Sequence, residues 1–214
     1  MQLEIFSDTI CPWCYIGKRR LERALRQRPM PELAIRWRAF QLNPGMPSGG
    51  MDRQQYLAAK FGSAERAGRL YDTVTRVGSE EGIRFRFDRI ARTPNTMKSH
   101  RLLALAGQYG VQSTLLDRLF AAYFTEGRDI GSAEVLTEIG LAAGLPQAEI
   151  ESALAEDSPI GTSLAEDFLA RRQGINGVPY FVFNGRFGLS GAQEPEALFH
   201  MLDLAREDDA LVRV

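Results

Sequence analysis

The chain contains two cysteines, Cys11 and Cys14, and they form a single Cys-Pro-Trp-Cys unit. In a chain of 214 residues only about one position pair in a hundred lies three apart, so an idle pairing at this spacing is rare. A disulfide is attacked by a thiolate and not by a thiol, so a working cysteine needs its pKa lowered from about 8.5. Cys11 falls where a strand ends and a helix begins. The unpaired amides and positive dipole end of a helix N-terminus favour a negative sulfur there. Cys14 is one turn further on, roughly 5–6 Å away, within the span a disulfide accepts. The pair can therefore close and reopen, with Cys11 attacking or attacked and Cys14 resolving the mixed disulfide. Blander readings compete. A structural disulfide over so short a loop adds little stability. A zinc site needs two more ligands, and the two histidines, His100 and His200, are distant and lack finger spacing. Two thiols can also pack as small apolar groups. No metal is expected.

The elements that must position this pair can be read around it. Residues 3–7 predict a short strand, and residues 12–28 a helix with Pro12 at a first position that needs no amide donor. Leu21, Ala24 and Leu25 mark its buried stripe, with Arg19, Arg20, Arg23 and Arg26 on a solvated face. Residues 33–42 predict a second strand, with Leu33, Ile35 and Trp37 on one face. One helix between two strands implies that they are parallel, joined by a right-handed crossover. After the turn-rich residues 43–50 the chain reads as helical, over 52–61, 64–80, 94–108, 111–125, 132–142, 147–156 and 160–173. Thr93 is the expected N-cap of the third of these. Phe85 and Phe87 read as core of that layer. Strand character returns at 178–183, followed by Asn184-Gly185, a strong hairpin signal because both positions need positive φ. A strand at 186–189 and a helix at 195–206 follow, and the acidic tail 207–209 is expected to fray.

The order is β-α-β, a helical insertion, then β-β-α. This is an α/β fold, a thioredoxin-like core interrupted by a large all-helical insertion domain. Residues 1–50 and 174–214 form the core, and residues 51–173 the insertion. In such a core the residue before Pro179, here Val178, faces the thiols. A cis bond would turn its backbone outward, where an extended substrate could pair with it.

Cys11-Pro12-Trp13-Cys14, the helical middle and the stretch from Gly177-Val178-Pro179-Tyr180 to Asn184-Gly185 resemble the DsbA superfamily of thiol–disulfide oxidoreductases. Phe40 to Pro44, Pro94-Asn95-Thr96 with Ser99 to Leu102, and Ser190 to Gln193 resemble its FrnE-like branch. That branch is related to 2-hydroxychromene-2-carboxylate isomerase and kappa-class glutathione transferase. The resemblance spans nearly the whole chain. It implies redox catalysis by Cys11 and Cys14 with Pro179 beside them, acting on disulfides or thiols of proteins or small molecules. It implies substrate contacts from Trp13, Val178, Asn43, Asn95, His100, Ser190 and Gln193, the last two in a region that holds the γ-glutamyl part of glutathione in relatives. No cofactor is expected to be tightly bound, and glutathione is a candidate co-substrate. Isomerase and transferase members typically carry serine where Cys11 stands, which favours redox chemistry; a glutathione-dependent isomerase or transferase is the alternative. A redox-inactive module that holds peptides at the Val178–Pro179 edge is a third reading. Periplasmic members often have His at the position of Trp13, and an uncharged indole cannot stabilise a thiolate as imidazolium does. A weaker oxidant is expected.

Composition bounds what remains. Hydrophobic residues are 44% and charged residues 25%, ordinary for a globular protein. With 26 Lys+Arg against 27 Asp+Glu, the net charge of −1 offers no long-range attraction for nucleic acid or anionic membrane. No apolar run approaches the roughly 20 residues of a membrane span. Met1 to Phe6 lacks a basic segment followed by an apolar one, so no signal peptide is expected. The expected location is cytoplasmic, and a homodimer is left open.

Overall fold

The computed structural model describes residues 1–155, 158 and 162–212. The first strand, β1 (Gln2–Ser7), leads through a tight loop into α1 (Pro12–Gln27) and returns as β2 (Ala34–Ala39). β2 pairs with β1 in parallel, Ile5 opposite Trp37. After a minor strand β3 (Met51–Asp52) come α2 (Arg53–Phe61) and α3 (Ala64–Glu80), then β4 (Arg92–Thr93), which pairs back with β3. The helical run continues through α4 (Met97–Gln108), α5 (Gln112–Ala121), α6 (Ala133–Ala142), α7 (Gln147–Leu154) and α8 (Thr162–Arg172). The chain closes with β5 (Tyr180–Phe183), β6 (Phe187–Ser190) and α9 (Pro195–Val212). The main sheet has the order β2-β1-β5-β6, with β5 antiparallel to both neighbours.

Alternation along the strands gives this sheet two apolar faces. Leu3, Ile5, Phe181 and Phe183 join the large buried cluster with Ile16 and Leu21 of α1 and Leu198 and Leu202 of α9. Phe6, on the opposite face, packs with Phe40, Ala170 of α8 and Ile175. α8 therefore covers the sheet, although it follows the other inserted helices in the chain. The large cluster continues without a break into the helical layer. Tyr15 of α1 stacks on Phe120 at 4.9 Å and meets Phe85 edge-on at 6.0 Å. Phe85 in turn stacks on Phe87, the core role expected of both.

Several expectations are corrected. Thr93 is not an N-cap. It lies in β4, its hydroxyl accepting from Arg53, and α4 starts only at Met97 with Thr96 as cap. β5 starts at Tyr180 and not 178, since Pro179 has no N–H for a ladder. The helix expected over 111–125 gives way after Ala121 to one wide turn at residues 122–126. The acidic tail is helical, because α9 runs on to Val212. Arg20 is buried, not solvated, because it bonds Glu81, Glu194 and the carbonyl of Ala192. Residues 156, 160 and 161 of the expected helices lie outside the described residues. The Asn184-Gly185 turn has the required positive φ at both positions, 51° and 68°.

Candidate active site

The loop between β1 and α1 is closed by the amide of Cys11, which donates to the carbonyl of Asp8 at 3.0 Å. Cys11 is the N-cap, with extended backbone (φ −93°, ψ 112°), and Pro12 begins the helix. Both thiols are free; Cys11 is 4% exposed and Cys14 not at all, whereas Trp13 between them is 36% exposed. The Cys11 Sγ donates to the carbonyl of Val178 at 3.5 Å. The Val178–Pro179 bond is cis. Cys11 and Val178, 167 residues apart in the chain, thus meet.

Small residues permit this meeting. A Cβ on Gly17, one turn after Cys14, would stand 3.0 Å from Pro179 Cγ, so the bare backbone lets the proline ring settle closely on α1. The carbonyl of Pro179 accepts from the amide of Gly191 at 2.8 Å, which brings the turn after β6 to the same place. Ser190 ends β6 and Gln193 follows in that turn, both exposed, the Gln193 side-chain amide donating to the Ser190 carbonyl.

Burial pushes the Cys14 thiol well up, and the neighbouring Cys11 sulfur adds to the rise through a hydrogen bond and its charge. The Ser7 side chain and the Asp8 backbone beside the sulfur oppose this rise. Cys14 is thus held as the protonated partner behind Cys11.

The segment before α4 packs directly on this loop. Thr9 and Ser99 hydroxyls meet at 2.8 Å, and the fully buried Asp8 takes the amide of Leu42 on Oδ2 at 2.7 Å. Its Oδ1 faces His100 Nε2 at 3.4 Å. His100 is only 2% exposed. Asn95 has both ends of its amide engaged. It donates to the Met46 carbonyl and accepts from the Met97 amide, tying the 43–50 turn to α4. Asn43 donates to the Tyr56 hydroxyl and accepts from Lys60, both on α2.

Tyr56 escaped the sequence reading. Its phenol is raised, chiefly by burial, with smaller contributions from Asp8 and Cys11, which places it within electrostatic reach of the dithiol. A single tyrosine on an amphipathic helix carries no signal that could have found it. The Asp8–His100 contact was equally hidden, since 92 residues separate the partners.

The family model of the DSBA-like thioredoxin domain matches residues 2–203. A probable DsbA oxidoreductase from Streptomyces coelicolor is 34% identical, with a TM-score of 0.87 over 97% of this chain and 90% of that one. The cytosolic disulfide reductase DsbM from Pseudomonas aeruginosa, solved with GSH, shares the fold at 21% identity and a TM-score of 0.63, covering 100% of both chains. Among curated proteins, the uncharacterized YwbO of Bacillus subtilis is 25% identical over 155 residues, 72% of each chain. The chain belongs to the DSBA-like thioredoxin domain family.

Proposed function

We propose that this member of the DSBA-like family is a thiol–disulfide oxidoreductase in which Cys11 exchanges with the substrate and Cys14 resolves. The observation that carries the reading is the contact of the Cys11 sulfur with the Val178 carbonyl while Cys14 closes off its inner side. A disulfide approaching past the exposed Trp13 meets Cys11 first. The Cys11 thiolate bonds one substrate sulfur and the other leaves as thiolate. Cys14 then bonds Cys11 and expels the second substrate thiolate, so two electrons pass from the dithiol to the substrate; the reverse sequence oxidises a dithiol substrate.

Substrates are disulfide- or thiol-bearing proteins or small molecules, with glutathione as the small thiol we favour. The exposed Ser190 and Gln193, in the turn bonded to Pro179, are the groups we assign to it. Trp13 and the Val178 backbone are assigned to the substrate's reacting segment. A cytoplasmic setting, where such a pair acts as a reductant, suits the uncharged Trp13; among the described residues no helix is long and apolar enough to cross a membrane.

Equilibration with graded ratios of reduced to oxidised glutathione, read by alkylation mass and by Trp13 emission, tests the reading. A single reversible two-electron transition, less oxidising than that of a Trp13→His variant, is expected. The Cys14→Ser variant should accumulate a mixed disulfide through Cys11. Failure of the pair to oxidise reversibly, or of Cys14→Ser to trap anything, overturns it.

A further inference from the structure

Arg20 lies on α1, less than two turns beyond Cys14, and is buried. Its guanidinium donates through three nitrogens to three places. Nε bonds the carboxylate of Glu81, just beyond α3, at 3.0 Å, and Nη2 meets Glu194 at 2.5 Å. Nη1 bonds the carbonyl of Ala192 at 2.6 Å. Arg23 reaches the same two carboxylates, Glu81 at 2.7 Å and Glu194 at 2.8 Å. Both carboxylates therefore have a second cation, and what Arg20 adds to the cluster is its bond to a neutral backbone carbonyl. That bond has no part in balancing charge.

The carbonyl belongs to the turn that holds the Pro179 segment. Gly191, in the left-handed region at φ 82°, donates its amide to the carbonyl of Pro179 at 2.8 Å. The backbone amide of Gln193 closes the turn on the Gly191 carbonyl at 3.0 Å. A Cβ at Gly17 would lie 3.0 Å from Pro179 Cγ and 3.6 Å from Ala192 Cβ, so the proline ring and the turn rest on one patch of α1. A short chain of contacts thus runs from Arg20 through Ala192 and Gly191 to Pro179. It ends at the Val178 carbonyl, 3.5 Å from the Cys11 sulfur. Both ends of the chain lie on the dithiol helix or at its N-cap.

We propose that Arg20 is a positioning residue that fixes the turn at 190–193, and through it the Val178–Pro179 segment, against the dithiol helix. In this way it sets a preference for peptide-like disulfides over disulfides that carry no peptide groups. The inference rests on the dithiol reading and on the assignment of Ser190 and Gln193 above. An extended substrate that pairs with the Val178 backbone and reaches the turn needs both in register with Cys11. A displaced turn loosens those contacts together, whereas a disulfide without peptide groups depends chiefly on the sulfur it meets. Arg20 itself touches no reacting atom. Lysine at this position keeps a positive charge beside Glu81, but a single ammonium lacks the planar fork that spans three acceptors.

The test mixes the reduced full-length protein in stopped flow with oxidised glutathione, followed by Trp13 emission, or with dithiobis(nitrobenzoate), followed by release of nitrothiobenzoate. In Arg20→Lys the ratio of the two second-order rate constants, oxidised glutathione to the aromatic disulfide, should fall at least about fivefold. Glu81→Gln weakens the buried pair and leaves the Ala192 bond in place. It should lower the thermal melt and shift that ratio by less than about twofold. Should Arg20→Lys lose its cooperative melt, Arg20→Met combined with Glu81→Leu removes both buried charges together and carries the same expected fall. A ratio unchanged in the Arg20 variants, or shifted equally by Glu81→Gln, overturns the proposal. An unaltered protein that reacts with the aromatic disulfide but not with oxidised glutathione removes the glutathione assignment, and this proposal with it. Reaction with neither removes the dithiol reading itself.

Discussion

At the scale of single residues, the two thiols are made unequal by position alone. Cys11 caps a helix and touches the Val178 carbonyl, whereas Cys14 is enclosed and its thiol raised by burial first and by Cys11 second. A raised thiol keeps its proton longer in the folded protein than in the unfolded chain. The contribution is therefore intact below the unfolded value of about 8.5 and is lost as pH climbs from there toward the folded value. The reduced protein should lose up to about 1.4 kcal/mol per pH unit above pH 9 through this group. Urea midpoints measured from pH 8 to 10 should fall less steeply in Cys14→Ser, and parallel slopes would contradict the assignment. The cysteine pair and Pro179 could be read from the sequence because their chemistry is local: a spacing of three, a proline, a strand end. The Asp8–His100 contact and the nearness of Tyr56 could not, because each acquires meaning only from a neighbour in another element.

At the scale of elements, the first strand–helix–strand unit and the closing hairpin were legible from periodicity and turn chemistry. Less legible was how the outer edge of β2 is protected. Gln112 of α5 sits beside it like one residue of a further strand, accepting from the Trp37 amide at 2.9 Å and donating to the Trp37 carbonyl at 3.0 Å. Glu166 and Asp167 of α8 take the next amides, those of Ala39 and Gln41. Side chains from two inserted helices thus satisfy backbone groups that would otherwise invite another strand. Gln112→Leu removes both bonds to Trp37 from a half-buried side chain and should cost about 1–3 kcal/mol, seen as a lower denaturant midpoint at unchanged slope. A loss below the error of the measurement would show that water serves the edge equally well. Nothing in residues 34–39 announces this dependence, since a strand's alternation is silent about what meets its edge.

At the scale of the whole molecule, the helical layer and the sheet share one apolar interior, and a buried ionic cluster fastens them. Arg20 of α1 holds Glu81, just beyond α3, at 3.0 Å, and both side chains are under 10% exposed. Glu81 also takes Arg23, and both arginines reach Glu194 ahead of α9. Removing Glu81 leaves Arg20 partly uncompensated in the interior, so Glu81→Ala should cost about 3 kcal/mol. The neighbouring Glu80→Ala, which loses only an exposed pair with Arg76, should cost under about 0.5 kcal/mol. Equal effects in thermal melts would refute the difference drawn between them. The sequence put these arginines on a solvated face because the stripe formed by Leu21 and Ala24 marks only one side of α1. The other side is covered by the end of α3 and the start of α9, some 60 and 170 residues further on.

What the amino-acid order determined by itself was everything carried by short-range physics. It placed the dithiol at a helix start, the parallel β-α-β unit, the positive-φ hairpin and the helical character of the middle. Those features follow from steric limits on neighbouring residues and from apolar repeats that any single element must bury. Tertiary structure alone decided which side of each element faces which partner. It enclosed Cys14, paired Asp8 with His100, drew Tyr56 toward the thiols and buried Arg20. Burial and charge pairing depend on distance in space, and the chain order of residues 60 to 170 apart places no limit on that distance until the core has closed.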